Sequence, residues 1–92
     1  MEILTASYGG KAEHSILSVD ARIDEGLLIL TATEQDYNDY NVTTLQGERT
    51  ITKEFAVSNK NFDKAFLFRC IRDLLLENNI TIYMFTEDDI RY

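Results

Sequence analysis

Apolar and polar residues alternate most cleanly over residues 14–23, where Leu17, Val19, Ala21 and Ile23 fall on one side and Ser18, Asp20 and Arg22 on the other. A period of two is the signature of a half-buried strand. A weaker alternation runs through residues 2–8, with Leu4, Ala6 and Tyr8 opposite Ile3, Thr5 and Ser7, and this strand is expected to end at Gly9-Gly10. Asp24-Glu25-Gly26 reads as a short turn, its glycine available for positive φ. The run from Leu27 to Thr33 is apolar on both faces at first, so it predicts a central strand covered on one side. Residues 14–33 therefore predict a hairpin.

Residues 34–41 are polar and poor in strand formers, which predicts a loop. A second hairpin is expected to follow, with Val42 to Leu45 turning at Gln46-Gly47-Glu48 into Arg49 to Val57. Ile51, Phe55 and Val57 line one face of its second strand, and Lys53 falls on that face too. The charge requires either an opening to water or a bulge that moves it to the other side. A helix is predicted from about Asn61 to Glu77, with Ser58, Asn59 or Asn61 as caps, Asp63 in the first turn and Asn78-Asn79 as the stop. Leu67, Phe68, Ile71, Leu74 and Leu75 form one helical stripe with Cys70 at its edge. Ile80 to Phe85, apolar on both faces, predicts a final internal strand, parallel to the strand before the helix through a right-handed crossover. The expected fold is α+β: one two-layer domain over residues 1–92, a mostly antiparallel sheet of about five or six strands with one helix packed across it, in the order β-ββ-ββ-α-β.

Composition narrows the classes. Sixteen acids against nine bases give a formal charge of −7, which disfavours nucleic acid or an anionic membrane as a direct partner. The single cysteine, Cys70, excludes an internal disulfide framework. No apolar run approaches the roughly 18–20 residues that span a bilayer, and Met1 to Thr5 lacks the basic start and apolar stretch of a signal peptide. The expectation is a cytoplasmic-type domain.

Catalytic and metal templates fail on counting. One histidine, His14, cannot make a two-histidine metal site. Gly9-Gly10-Lys11 has no helix behind it to bind phosphate. Asp36-Tyr37-Asn38-Asp39-Tyr40-Asn41 resembles a calcium loop only superficially: tyrosine fills the third ligand position, and Gly47 stands at the twelfth, where glutamate belongs. Cys70 lies near Arg69 and Arg72 but at the margin of the core stripe, where a small buried hydrophobe is the better reading. The paired acids fall in turns and near the end of the chain, where water keeps both ionised. No enzyme, metal or cofactor is expected.

The charge distribution is uneven. Asp20, Asp24 and Glu25, then Glu34, Asp36 and Asp39, then Glu87, Asp88 and Asp89 hold nine of the sixteen acids, while six of the nine bases lie between Arg49 and Arg72. Tyr37, Tyr40 and Tyr92 accompany the acids, and tyrosine suits protein interfaces. The expected binding surface is Asp24, Glu25, Glu34, Asp36, Tyr37, Asp39, Tyr40, Glu87, Asp88, Asp89 and Tyr92. Its carboxylates would occupy the Lys/Arg set of a partner that otherwise holds phosphates, such as a nuclease or other nucleic-acid-binding effector. Small, acidic, motif-free chains of this composition resemble phage- or virus-type antagonists of host restriction and CRISPR nucleases; the resemblance is one of composition alone. A second expectation rests on Phe62, Phe66 and Leu76, which fall opposite the helical core stripe and imply self-association, for example a homodimer, through that face.

Overall fold

A computed structural model of the chain describes residues 2–8, 14–37, 45–57, 63–80, 82 and 85–91. Four strands, β1 (Glu2–Tyr8), β2 (His14–Asp24), β3 (Leu27–Tyr37) and β4 (Leu45–Ala56), form one antiparallel sheet in the order β1-β2-β3-β4. One helix, α1 (Lys64–Glu77), follows. The class is α+β, with four strands in the sheet among the described residues, where the pattern suggests five or six.

The first hairpin forms as its alternation requires. Asp24 pairs with Leu27 across a two-residue turn, Glu25-Gly26, whose φ values of 49° and 79° match the positive φ at both positions of a type I′ turn. Glycine takes this conformation freely; Glu25 does so at a steric cost. The core face of the sheet carries Leu17, Val19 and Ala21 from β2 and Leu28, Leu30 and Ala32 from β3, all buried. Ile23, at the open end of that face, remains 52% exposed.

Three local expectations are corrected. First, residues 34–37 continue β3, and β4 begins at Leu45, so Gln46-Gly47-Glu48 is strand and not turn. Asp36 pairs with Gly47 and Tyr37 with Leu45, which leaves Gln46 as the extra residue of a bulge. Val42, Thr43 and Thr44 lie outside the described residues. Second, the helix is capped by Asp63, whose Oδ1 accepts the Phe66 N–H at 2.8 Å, a few residues beyond the expected start. Third, of the strand expected over Ile80 to Phe85, Thr81, Tyr83 and Met84 lie outside the described residues, and the described Ile80, Ile82 and Phe85 belong to no strand. Their apolar character serves burial against α1: Phe85 stacks on Phe68 with ring centroids 4.9 Å apart.

The helix stop is as expected, with a specific geometry. Asn79 is left-handed at φ 58°; its N–H donates to the Leu76 carbonyl and the Ile80 N–H to that of Leu75, the two bonds of a Schellman ending. Leu67, Cys70, Ile71, Leu74 and Leu75 are buried, as the stripe predicts. A bulge in β1 opposite Val19 and Asp20 makes Ile3 the extra residue and lets both Ile3 and Leu4 enter the core. The Ile3 carbonyl then accepts the Arg91 N–H at 2.7 Å, which ties the end of the chain to β1 and buries Ile90. No helix among the described residues is long and apolar enough to cross a membrane.

Candidate functional site

One face of the sheet carries α1; strand periodicity fixes what the other presents. Thr5, Ser18, Thr33 and Thr50 stand opposite one another across all four strands, a row of hydroxyls. The next row is Glu2, Asp20, Thr31 and Thr52; beyond it lie Arg22, Ile29 and Glu54, then Asp24, Leu27 and Ala56. On the other side of the hydroxyls, Ile16, Gln35 and Glu48 are in register, with the Gln35 amide donating to Glu48 at 2.8 Å. Glu2, Asp20, Asp24, Glu48 and Glu54 are exposed on this face, against Arg22 as its one base among the described residues.

On the core face Arg49 and Lys53 are each paired with a carboxylate. Glu34 is only 3% exposed and accepts from the Arg49 Nε at 2.7 Å across the β3–β4 register. Arg49 also donates to the Asn78 carbonyl at 3.2 Å, placing a cation at the carboxyl end of α1 where the helix dipole favours it. Lys53 stays on the core face without a bulge: it pairs with Glu77 of α1, and its ammonium lies 5.2 Å from the Phe55 ring centre. Two of the bases that make the middle of the chain look cationic are thereby paired on the helix side of the sheet, Arg49 with a buried carboxylate and Lys53 with an exposed one.

The expected binding residues are not gathered in one place. Asp24 and Glu25 lie at the β2–β3 turn, and Asp36 and Tyr37 at the other end of β3, about 30 Å away at ~3.4 Å per residue. Glu34 leaves the set, because its carboxylate is buried and used by Arg49. Asp36 accepts from the fully buried Ser15 hydroxyl at 2.5 Å, and the Tyr37 hydroxyl lies 3.4 Å from the Gln35 amide oxygen. Glu87, Asp88 and Asp89 form an exposed 3₁₀ turn beside the β1 edge, with the Asp89 carboxylate accepting the Thr86 N–H at 2.9 Å. Asp39, Tyr40 and Tyr92 lie outside the described residues, as does Phe62. Phe66 packs against the core, so it is not a spare aromatic, while Leu76 is 66% exposed. Sequence reasoning passed over Glu2, Glu48 and Glu54; the signal for Glu48 and Glu54 was alternation with Thr50 and Thr52 along β4, whereas Glu2 reaches this face only through the bulge at Ile3.

Burial pushes the Cys70 thiol up to about 11, with the Asp73 carboxylate adding to the shift against Arg69 and Lys53. A protonated, enclosed thiol is a poor nucleophile. Among the described residues no three histidine, cysteine, aspartate or glutamate side chains are grouped to hold a metal ion. The chain matches no protein-family profile, no curated protein and no solved structure.

Proposed function

We propose that the protein is a non-enzymatic binding protein that presents carboxylates to a basic protein surface of the kind that otherwise holds nucleic-acid phosphates. The observation that supports this reading is the separation of charge. Glu34 and Glu77 neutralise Arg49 and Lys53 on the core side, while five carboxylates and one guanidinium share the open sheet face. Glu25, next to Asp24 in the β2–β3 turn, extends the negative field at that end of the sheet. Such a field accelerates encounter with a cationic groove and excludes nucleic acid from the protein itself. The Thr and Ser hydroxyls between the acids supply further hydrogen bonds to arginine or lysine.

Capture experiments test it. The full chain is immobilised and exposed to a lysate at about 50 mM salt, and retained proteins are challenged with duplex DNA or with about 500 mM salt. The reading expects both challenges to release a nucleic-acid-binding protein. Retention through both contradicts it.

A further inference from the structure

Two edges bound the sheet, and they differ. At β1 the end of the chain is in place: the Arg91 N–H donates to the Ile3 carbonyl, and Ile90 is buried. At β4 no described residue pairs with the outer side. The ladder to β3 fixes what that side presents. The Val57 N–H donates to the Gly26 carbonyl at 3.0 Å, and in an antiparallel pair such bonds recur at every second residue. Arg49, Ile51, Lys53 and Phe55 therefore turn their backbone toward β3, while Glu48, Thr50, Thr52, Glu54 and Ala56 turn theirs outward. The outward residues are exposed, the Gln46 bulge lies before them, and no proline interrupts them. Ile51, Phe55 and Val57 pack on the core yet stay half-buried, unlike Ala32 and Leu28 beside them on β3. Arg49 and Lys53, the inward charges that would guard such an edge, are held by Glu34 and Glu77.

Charge selects the occupant. On the open face this edge carries Glu48 and Glu54, with Thr50 and Thr52 between them. Among the described residues neither carboxylate is in an ion pair, and Glu48 accepts only from the neutral Gln35 amide. A second copy of the chain fits poorly. With a two-fold axis at Thr50, Ile51 or Thr52, Glu48 of one copy stands opposite or diagonal to Glu54 of the other, and each copy already carries −7. A cationic strand meets no such repulsion. The geometry points to the outer edge of β4 as the docking strand for an extended segment of a basic protein, paired antiparallel, with Lys or Arg opposite Glu48 and Glu54 and apolar side chains beside Ile51 and Phe55. Backbone hydrogen bonds hold the segment, and cations six residues apart select it. The inference rests on the basic partner proposed above and names how that partner is held.

The test is a titration of the full, isotopically labelled chain with a blocked seven-residue peptide, read by amide shifts and hydrogen exchange. Its ends are lysines, and between them three valines alternate with two threonines, so that the lysines reach Glu48 and Glu54 on one face. Without peptide, the outward amides of Thr50, Thr52 and Glu54 should exchange faster than those of Ile51, Lys53 and Phe55. With peptide they should slow severalfold, and the affinity should be about tenfold higher than for the same peptide ending in glutamates. N-methylation of the threonine amides should abolish binding and that of the valine amides should spare it, because the threonine amides face β4 and the valine amides face away. Glu48→Lys with Glu54→Lys should reverse the preference for lysine over glutamate. Binding that perturbs Thr5, Ser18 and Thr33 but leaves exchange along β4 unchanged overturns edge docking and leaves the acidic-face reading standing. Equal affinity for lysine and glutamate ends overturns the choice of a basic segment, and the absence of saturable binding overturns the inference outright. A mass above 10.6 kDa in light scattering that the peptide returns to that value also overturns it, because the edge then serves a second copy of the chain.

Discussion

At the scale of single residues, the most consequential is Glu34. Its neighbours in the sequence, Gln35 and Asp36, make it look like one acid among several in a solvated loop, yet it is the carboxylate on which Arg49 depends inside the fold. Glu34→Ala leaves a partly buried guanidinium without its counter-ion and should cost about 2 kcal/mol in chemical denaturation. The double replacement Glu34→Leu with Arg49→Met should lose distinctly less, since removing both charges leaves neither stranded. Cys70 gives a second expectation. Its folded pKa of about 11 lies above the ordinary thiol value of 9.0, so burial favours the protonated form. The stability this contributes is present below pH 9 and declines as pH rises from about 9 through 11. Iodoacetamide at pH 8 should therefore label Cys70 only when denaturant is added, as mass spectrometry would read directly.

At the scale of elements, two left-handed residues hold the turns together. Asn79 closes the helix and Glu25 opens the β2–β3 hairpin, both at positive φ. Asn79→Val should lose about 1–2 kcal/mol because a β-branched residue tolerates that conformation poorly. Glu25→Asn, which makes the favoured Asn-Gly pair, should gain a few tenths of a kcal/mol; thermal or urea denaturation measures both. These turns were legible in the sequence, and so were the β2 alternation and the helical stripe, because each is dictated by residues close together in the chain. The rest depended on distant partners. Residues 34–37 lack strand propensity, but Glu34 finds Arg49 and Asp36 finds Ser15 across the sheet, and those pairings carry β3 four residues past its apolar part. Gly47 has the composition of a turn and sits beside a bulge, since β3 was long enough to keep pairing. Ile80, Ile82 and Phe85 have the apolarity of a buried strand, and α1 buries them without a ladder.

At the scale of the whole molecule, the expected patch of acidic loops gives way to an acidic sheet face. The loops separate because β3 is long; alternation keeps Asp20, Asp24, Glu48 and Glu54 on one side, and the β1 bulge at Ile3 adds Glu2 to them. Charge reversal at Asp24 and Glu54, both exposed, should change stability by no more than about 0.5 kcal/mol. The measurement that bears most directly on the proposed function is the affinity for a captured partner across a salt series, for the natural chain and for Asp24→Lys with Glu54→Lys. Affinity should fall steeply with added salt, and the double variant should bind weakly at every concentration with a flatter dependence. Affinity that is indifferent to salt and unchanged by the two reversals would mean that this face is merely solvated, and that whatever the protein binds is held elsewhere.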